Sequence, residues 1–586
     1  MMERSKALDG LFLVSAAISL ALPNLVYSGV FFFQTLHIMK WTVALVPVAT
    51  MAILTGIVVA WRGSERTGFK VDLFGWIWFA LLVYVTVQPI WAPIKSVPTF
   101  YREWFFFASL WGFYVLCLNL FRENWLRPIL WLASLNGAIN VFFAEFQVAN
   151  NVNIFAPLKL ILPTPGNYIG NTGQQNMLGL WLAITSLGSI FLYLCHGVRN
   201  TRGSGRFFAV TNLMLLPVLL WGLWNSTSRS AILSLLVGLA VLALMIAIGR
   251  DRARLRRLGF SVVLIAVVLG ASILLNQGRS GSLISKGLDL VKNADTLGGR
   301  DGIWKTSWAM AMGEPIKGMG LGQYKWNYLD AQKKAFSLYP DMKWQYTNWA
   351  HNEYLQWYCE SGLLGFIVLI GLAVWWLFSF FVYLKRHKGA AFPNAVLWSA
   401  AFLFLIWFDA LWTRPFHRIE NSLWMPLAFA LANREIFVEM GLYRARFLGN
   451  SRGYRVVGII MASVSLWGLV YLGQGLAGDV TIRRAVYSRT APVQRGLMEK
   501  AHGALMVRDI AERQLAYHYI AYGEAAKDPE ALAKGLNMLL TAFRQQPTAE
   551  DLRRLLDWSG KLKKQELLKY LVTYLKPGTY RIEQRK

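Results

Sequence analysis

Long apolar runs alternate with short polar ones along most of this chain. Runs of about 18–22 residues, the length that crosses a bilayer as a helix, recur from one end to the other. They fall at 10–28, 41–61, 73–92, 103–121, 127–148, 176–196, 207–224, 230–249, 258–276, 362–384, 394–413, 420–437 and 455–477. The pattern predicts an all-α polytopic membrane protein with about 13 transmembrane helices. Two stretches break it. Residues 277–361 form a long loop rich in Trp and Tyr, with nearly balanced charge. Within it a helix is expected over 302–312, with Asp301 as N-cap and Gly313-Glu314-Pro315 as stop, followed by turns at Gly318, Gly320 and Gly322. In residues 478–586, apolar positions recur at helical spacing over 495–506, 510–525, 531–546 and 549–575. That predicts four or so amphipathic helices, either hairpins of the tetratricopeptide kind or a plain helical tail. Four units follow: N-terminal spans (1–276), a large loop (277–361), C-terminal spans (362–477) and a helical domain (478–586).

Composition agrees with a bilayer protein: 55% of the 586 residues are hydrophobic, and mean hydropathy is +0.38. The formal charge of +28 would suit nucleic acid, but its distribution argues against that partner. Basic residues cluster in Arg62–Lys70, Arg122–Arg127, Arg199–Arg206, Arg250–Arg257, Lys385–Lys388 and Arg434–Arg455, all of them alternate loops. The positive-inside rule makes these cytoplasmic and places the N-terminus inside. Loops 29–40, 93–102, 149–175, 225–229, 277–361 and 414–419 are then outside, and an odd number of spans puts the tail there too. The start, Met1-Met2-Glu3-Arg4-Ser5-Lys6, leads into a span without a clear cleavage site and reads as a retained anchor. Three cysteines give no disulfide framework, and no metal-binding spacing, Walker motif or dinucleotide fingerprint is present.

Candidate chemistry gathers at helix starts on the outer face. A helix N-terminus offers free N–H groups and partial positive charge, which suit an anion. Gly170-Asn171-Thr172-Gly173-Gln174-Gln175-Asn176 opens one span, Asn225-Ser226-Thr227-Ser228-Arg229-Ser230 another, and Thr347-Asn348-Trp349-Ala350-His351 leads into a third. If the three converge, amides, an arginine with hydroxyls and a histidine make a pocket for a phosphate-bearing ligand. Each piece also has a plainer role. Gln174 and Asn176 can cap a helix, Arg229 can anchor to headgroups, and Arg300 can pair with Asp301. His351 can be structural. Asp409, costly in lipid, has Arg414 one turn away as its expected partner. His417 and Glu420 are weaker candidates. The sequon Asn225-Ser226-Thr227 sits too close to lipid to be read as a glycan acceptor.

Together these segments resemble the O-antigen ligase/polymerase superfamily of bacterial membrane glycosyltransferases. The likeness rests on Ser228-Arg229-Ser230, on Arg300-Asp301-Gly302-Ile303-Trp304 with Pro315 and Gly318-Met319-Gly320-Leu321-Gly322, and on His351-Asn352-Glu353-Tyr354-Leu355-Gln356 before Gly362-Leu363-Leu364-Gly365. The amide-bearing segment and the helical tail are most similar to the PglL-type O-linked protein oligosaccharyltransferases. In those a Gly-Gln-Pro-Asn motif is usual, and Gln175 stands here in place of the Pro.

The resemblance implies a glycosyltransferase-C-like helical architecture in the bacterial inner membrane. It implies an active site and C-terminal domain on the periplasmic side, and metal-independent transfer without a cofactor. The donor would be an undecaprenyl-pyrophosphate-linked glycan, and the acceptor a Ser or Thr hydroxyl of a protein such as pilin. His351 would be the base, Arg229 and Arg300 would stabilise the leaving pyrophosphate, and Gln174, Gln175, Asn176, Ser228, Asn352, Glu353 and Tyr354 would bind substrate. A ligase acting on lipid A core, an O-antigen polymerase, a lipid-linked glycan transporter and a scaffold are the competing readings.

Overall fold

The computed structural model of the chain describes residues 6–27, 36–62, 69–195, 203–275, 300–440 and 451–578. Among them every regular element is helical. Nine helices come first: α1 (Lys6–Ala21), α2 (Leu36–Arg62), α3 (Leu73–Val87), α4 (Val97–Leu120), α5 (Leu126–Val148), α6 (Gln175–Cys195), α7 (Ser204–Asn225), α8 (Arg229–Ile248) and α9 (Arg252–Leu275). The loop segment contributes α10 (Arg300–Gly313) and α11 (Tyr324–Leu338). Next come α12 (Glu353–Arg386), α13 (Asn394–Asp409), the short α14 (Ile419–Ser422), α15 (Trp424–Glu439) and α16 (Ser451–Val486). The tail holds α17 (Ala491–His502), α18 (Arg508–Ala526), α19 (Pro529–Gln545), α20 (Ala549–Lys561) and α21 (Gln565–Val572).

Ten of the described helices are long and apolar enough to cross a bilayer, so this is a multi-pass membrane protein. Three of the expected spans are shorter. α1, α13 and α15 have 16 residues each, about 24 Å of helix against a hydrocarbon core of about 30 Å. For α13 and α15 the cause is visible. α13 stops at Asp409, and residues 410–418 follow as turns and one short 3-10 turn (Pro415–His417) before α14, with Thr413, Arg414 and Pro415 buried in the protein. Non-helical backbone of this kind survives in a membrane protein only where protein, not lipid, surrounds it.

Close helix contacts use small residues, as association in lipid requires. On α2, a Cβ at Gly56 would lie 2.5 Å from the carbonyl oxygen of Gly458 on α16, and one at Gly458 would lie 2.4 Å from that of Gly56. The Gly318–Gly322 run works in the same way against α12. That helix kinks at Gly362, where φ is 67°, and a Cβ there would lie 2.2 Å from the oxygen of Ile316. The kink frees carbonyls that the glycine run takes up. Met319 N–H donates to Cys359 O at 2.8 Å, and Gly320 N–H to Glu360 O at 3.0 Å. The helix expected over 302–312 begins no later than Arg300. Asp301 therefore lies inside its first turn, where it pairs with Lys305 at 2.7 Å instead of capping or meeting Arg300.

α16 continues to Val486, past the expected domain boundary at 478, and carries the tail helices. The stretch expected as one helix over 549–575 is two, α20 and α21, broken where Lys563 takes a left-handed conformation (φ 52°). The tail is fixed to the bundle by a buried ion pair. Arg102 of α4 donates to Asp509 of α18 at 2.6 Å, with side chains 6% and 2% exposed. Lys95 pairs with Asp330 of α11 and Gln546 donates to Lys95 O. Loop helices and tail thus share one end of the bundle.

Candidate active site

At that end the helix starts meet. α6 begins at Gln175, α8 at Arg229, and α12 at Glu353, where the Asn352 side chain accepts the Leu355 N–H at 2.9 Å. Gln175 Nε2 donates to Thr227 Oγ1 at 2.9 Å, which ties the first start to the second. Gly179 lets them approach, since a Cβ there would lie 2.4 Å from that of Ser228. Ser228 is buried, and its carbonyl accepts the N–H of Ile232. Arg414 joins the third start to the first: its guanidinium donates to Gln174 Oε1 at 3.1 Å and lies over the Trp349 ring at 4.7 Å.

His351 sits at the tip, in a left-handed conformation with φ 52°. Its ring takes no hydrogen bond from any described residue. Burial lowers its pKa to about 4, helped by the charges of Arg300 and Arg414 nearby. It is therefore a neutral imidazole at neutral pH, able to accept a proton. Arg300 lies half-buried within electrostatic reach of Asp409 and Arg229. Among the described residues neither Arg229 nor Arg300 makes an ion pair or side-chain hydrogen bond. Two guanidinium groups and a neutral histidine are thus left open to a ligand at one place.

The other candidates fall into separate roles. Asn176 lies half-buried in the first turn of α6. Tyr354 donates its hydroxyl to Trp407 O on α13 at 3.0 Å. Glu353 is buried, and its carboxylate is taken up by the 410–418 segment: Oε1 accepts the Phe416 N–H at 2.7 Å and Oε2 lies 2.6 Å from His417 Nδ1. Burial alone would lower the His417 pKa, but the Glu353 carboxylate outweighs it and raises His417 to about 9. Asp409 does not pair with Arg414 as expected. It accepts from Thr413 and from Ser234, with Arg300 as its neighbouring charge, because the turn after α13 sends Arg414 toward Gln174.

Sequence reasoning gave little weight to the cluster that organises this end. Lys40, Arg414, His417, Arg418 and Glu420 interlock. Glu420 meets Lys40 at 3.3 Å and Arg418 at 3.1 Å, while Arg418 also donates to Thr172 O at 2.6 Å. A signal was present: Arg414, His417 and Arg418 crowd five residues on the face that the positive-inside rule leaves poor in cations. Beside the cluster a cavity of about 750 Å3 opens between the bundle and the tail helices. Among the described residues no group of three or more His, Cys, Asp or Glu comes together as a metal site.

Residues 213–370 match the family model described as O-antigen ligase. The match covers less than half of the chain and shows, over that segment, a likeness to the O-antigen ligase family. The matched segment contains Arg229, Arg300 and His351, the three open groups. It stops short of the Gln174–Asn176 segment, the 410–420 cluster and the tail. No curated protein matches the chain. The family carries the general function of glycan transfer at a membrane, from a lipid-linked donor.

Proposed function

We propose that the protein transfers a glycan from undecaprenyl pyrophosphate to Ser or Thr hydroxyls of a protein such as a pilin, at the periplasmic face of the bacterial inner membrane. The observation that carries the chemistry is the meeting of Arg229, Arg300 and a neutral His351, none of which has a side-chain partner among the described residues. His351 takes the proton of the acceptor hydroxyl as its oxygen attacks the anomeric carbon. The bond from that carbon to the phosphate oxygen breaks, and the pyrophosphate leaves still attached to its lipid. Arg229 and Arg300 meet the charge that develops on it with forked, permanently charged donors. One displacement without a sugar–enzyme intermediate inverts the anomeric centre. General-base help of this kind is typically worth about 10²–10⁴-fold.

The bound pyrophosphate also tunes the base. It offsets the positive charges of Arg300 and Arg414 and so lets the His351 pKa rise toward the pH where the acceptor loses its proton. Gln174 and Asn176 orient the donor. The helical tail beside the site supports a protein acceptor.

The test is expression in a bacterium that lacks its own ligase, makes a lipid-linked glycan and carries a pilin acceptor. A glycosylated pilin, lost with His351→Ala, is expected. Glycan on lipid A core would make the protein a ligase, and a lengthened lipid-linked glycan would make it a polymerase. Purified enzyme should keep its activity in EDTA. Activity lost in EDTA and restored by Mg²⁺ would overturn the metal-free mechanism.

A further inference from the structure

The cavity between bundle and tail carries more cationic than anionic side chains in its lining. Gln174, Trp349, Arg414 and His417 line it on the bundle side, and Arg513 and Tyr517 of α18 line it opposite. Its volume of about 750 Å3 lies in the range of about 300–1,000 Å3 typical of ligand sites, room for a few sugars rather than a folded protein. Several of its cations are already neutralised. Arg102 is held by Asp509, Arg418 by Glu420 and Arg513 by Asp551. Two others that line it are not.

Arg414 is only 9% exposed. It has no carboxylate within ion-pair distance among the described residues, and its Nε has no hydrogen-bond partner. Lys325, half-buried, has none either. Both are fixed by rings instead of acids: Arg414 over Trp349 at 4.7 Å and Lys325 over Trp326 at 4.3 Å. Burial and the charge of Arg102 pull Lys325 down to about 8. Burial and Arg418 pull Arg414 down to about 9. A guanidinium cannot in practice shed its proton, and a buried cation without a counter-charge is costly. Glu103 also lines the cavity and lies within electrostatic reach of both, but among the described residues it forms no ion pair with either, so two cations face one carboxylate and a ligand anion can supply the second counter-charge. Trp349, which lines the cavity, precedes His351 by two residues, so the cavity lies beside the segment that carries the proposed base.

We propose that this cavity holds the glycan of the lipid-linked donor, and that the glycan it is built for is anionic, its acidic groups meeting Arg414 and Lys325. The inference rests on the transfer reaction proposed above and names the class of sugar it moves. It also gives the tail helices a role, as one wall of the glycan site.

The experiment compares two oligosaccharides of equal length on the purified full chain in detergent. Tetragalacturonate carries a carboxylate on every sugar, and maltotetraose carries none. Calorimetric titration should show the acidic one binding at least tenfold more tightly, with the preference shrinking as salt rises. Lys325→Gln and Arg414→Gln should each reduce that preference, and unchanged maltotetraose binding by Lys325→Gln reports that the cavity is still folded. Equal affinity for the two sugars, or a preference untouched in both variants, overturns the proposal. So does inorganic pyrophosphate binding that requires Arg414 but does not compete with tetragalacturonate, because Arg414 would then serve the leaving group. A transfer assay run in parallel separates the two claims. Transfer without acidic preference sinks only this inference, whereas no transfer to any acceptor removes the reading beneath it.

Discussion

Glu353→Gln removes one charge from the pair that holds residues 410–418 against α12, and its effect can be sized from the structure. In the native protein Glu353 Oε2 lies 2.6 Å from His417 Nδ1, with the side chains 1% and 12% exposed. The carboxylate outweighs burial and carries His417 from 6.5 to about 9. At about 1.36 kcal/mol per pH unit, that amounts to roughly 3 kcal/mol. It sits at the lower edge of the cost, about 3–5 kcal/mol, of removing one partner from a buried pair. The sign is fixed by the direction of the shift. A histidine raised in the folded state contributes its full stability below about 6.5 and loses it as pH rises through about 9. In the variant the ring keeps its burial and loses its main counter-charge, with only the smaller effects of Glu103 and Glu360 opposing burial, so its pKa falls from the native value. Melting temperatures of the two proteins in detergent should therefore differ most at pH 6 and approach each other by pH 9.5. Arg414 is three residues from His417 and donates to Gln174, so a loosened segment misplaces it. Transfer at pH 7.5 should fall by about 10²-fold, the cost expected of a misplacement of about 1 Å. A melting gap that is constant, or that widens, between pH 6 and 9.5 would refute the reasoning, as would full activity with a lowered melting temperature.

Three further outcomes follow from the same geometry. His351→Ala should abolish transfer without changing the melting temperature; in the native enzyme the acid limb of kcat/KM should fall near pH 4, and that of kcat at higher pH once donor pyrophosphate offsets the arginines. Coincident acid limbs would show that the arginine charges do not set the His351 pKa. Arg229→Lys keeps the charge but loses the fork and should cut kcat by about 10²–10³-fold; unchanged kinetics would leave Arg229 a headgroup anchor. Gly362→Ala places a Cβ 2.2 Å from Ile316 O at a positive φ and should lower the melting temperature by an amount equivalent to about 1–3 kcal/mol; an unchanged melt would mean that the kink relaxes freely.

Local pattern made much of this molecule legible. Apolar runs and loop charge needed no tertiary contacts to announce a multi-pass helical protein, because lipid forces each span to satisfy its own backbone and to stay apolar. The helix starts at Gln175, Arg229 and Glu353 fall where turn and capping residues place them. The Arg229, Arg300 and His351 segments were recognisable as motifs. Less visible were the short helices, since an apolar run does not say where it will dip inward: 394–413 reads as one span, yet α13 stops at Asp409 and the rest folds into protein. The fate of Glu353 was equally hidden. Sequence placed it beside His351 as a substrate ligand, while the fold gives its carboxylate to His417, 64 positions away.

What the sequence determined by itself is thus the class of protein, the position of its long spans and the residue types able to do chemistry, all of which depend on neighbours within a few turns. Only the tertiary structure decided which of those residues stand free. Arg414 missing Asp409 and turning to Gln174, Lys40 meeting Glu420 across 380 positions, and Arg102 locking the tail through Asp509 are long-range pairings. They are set by which helices pack together, so these buried charges find their partners only when the whole bundle has closed.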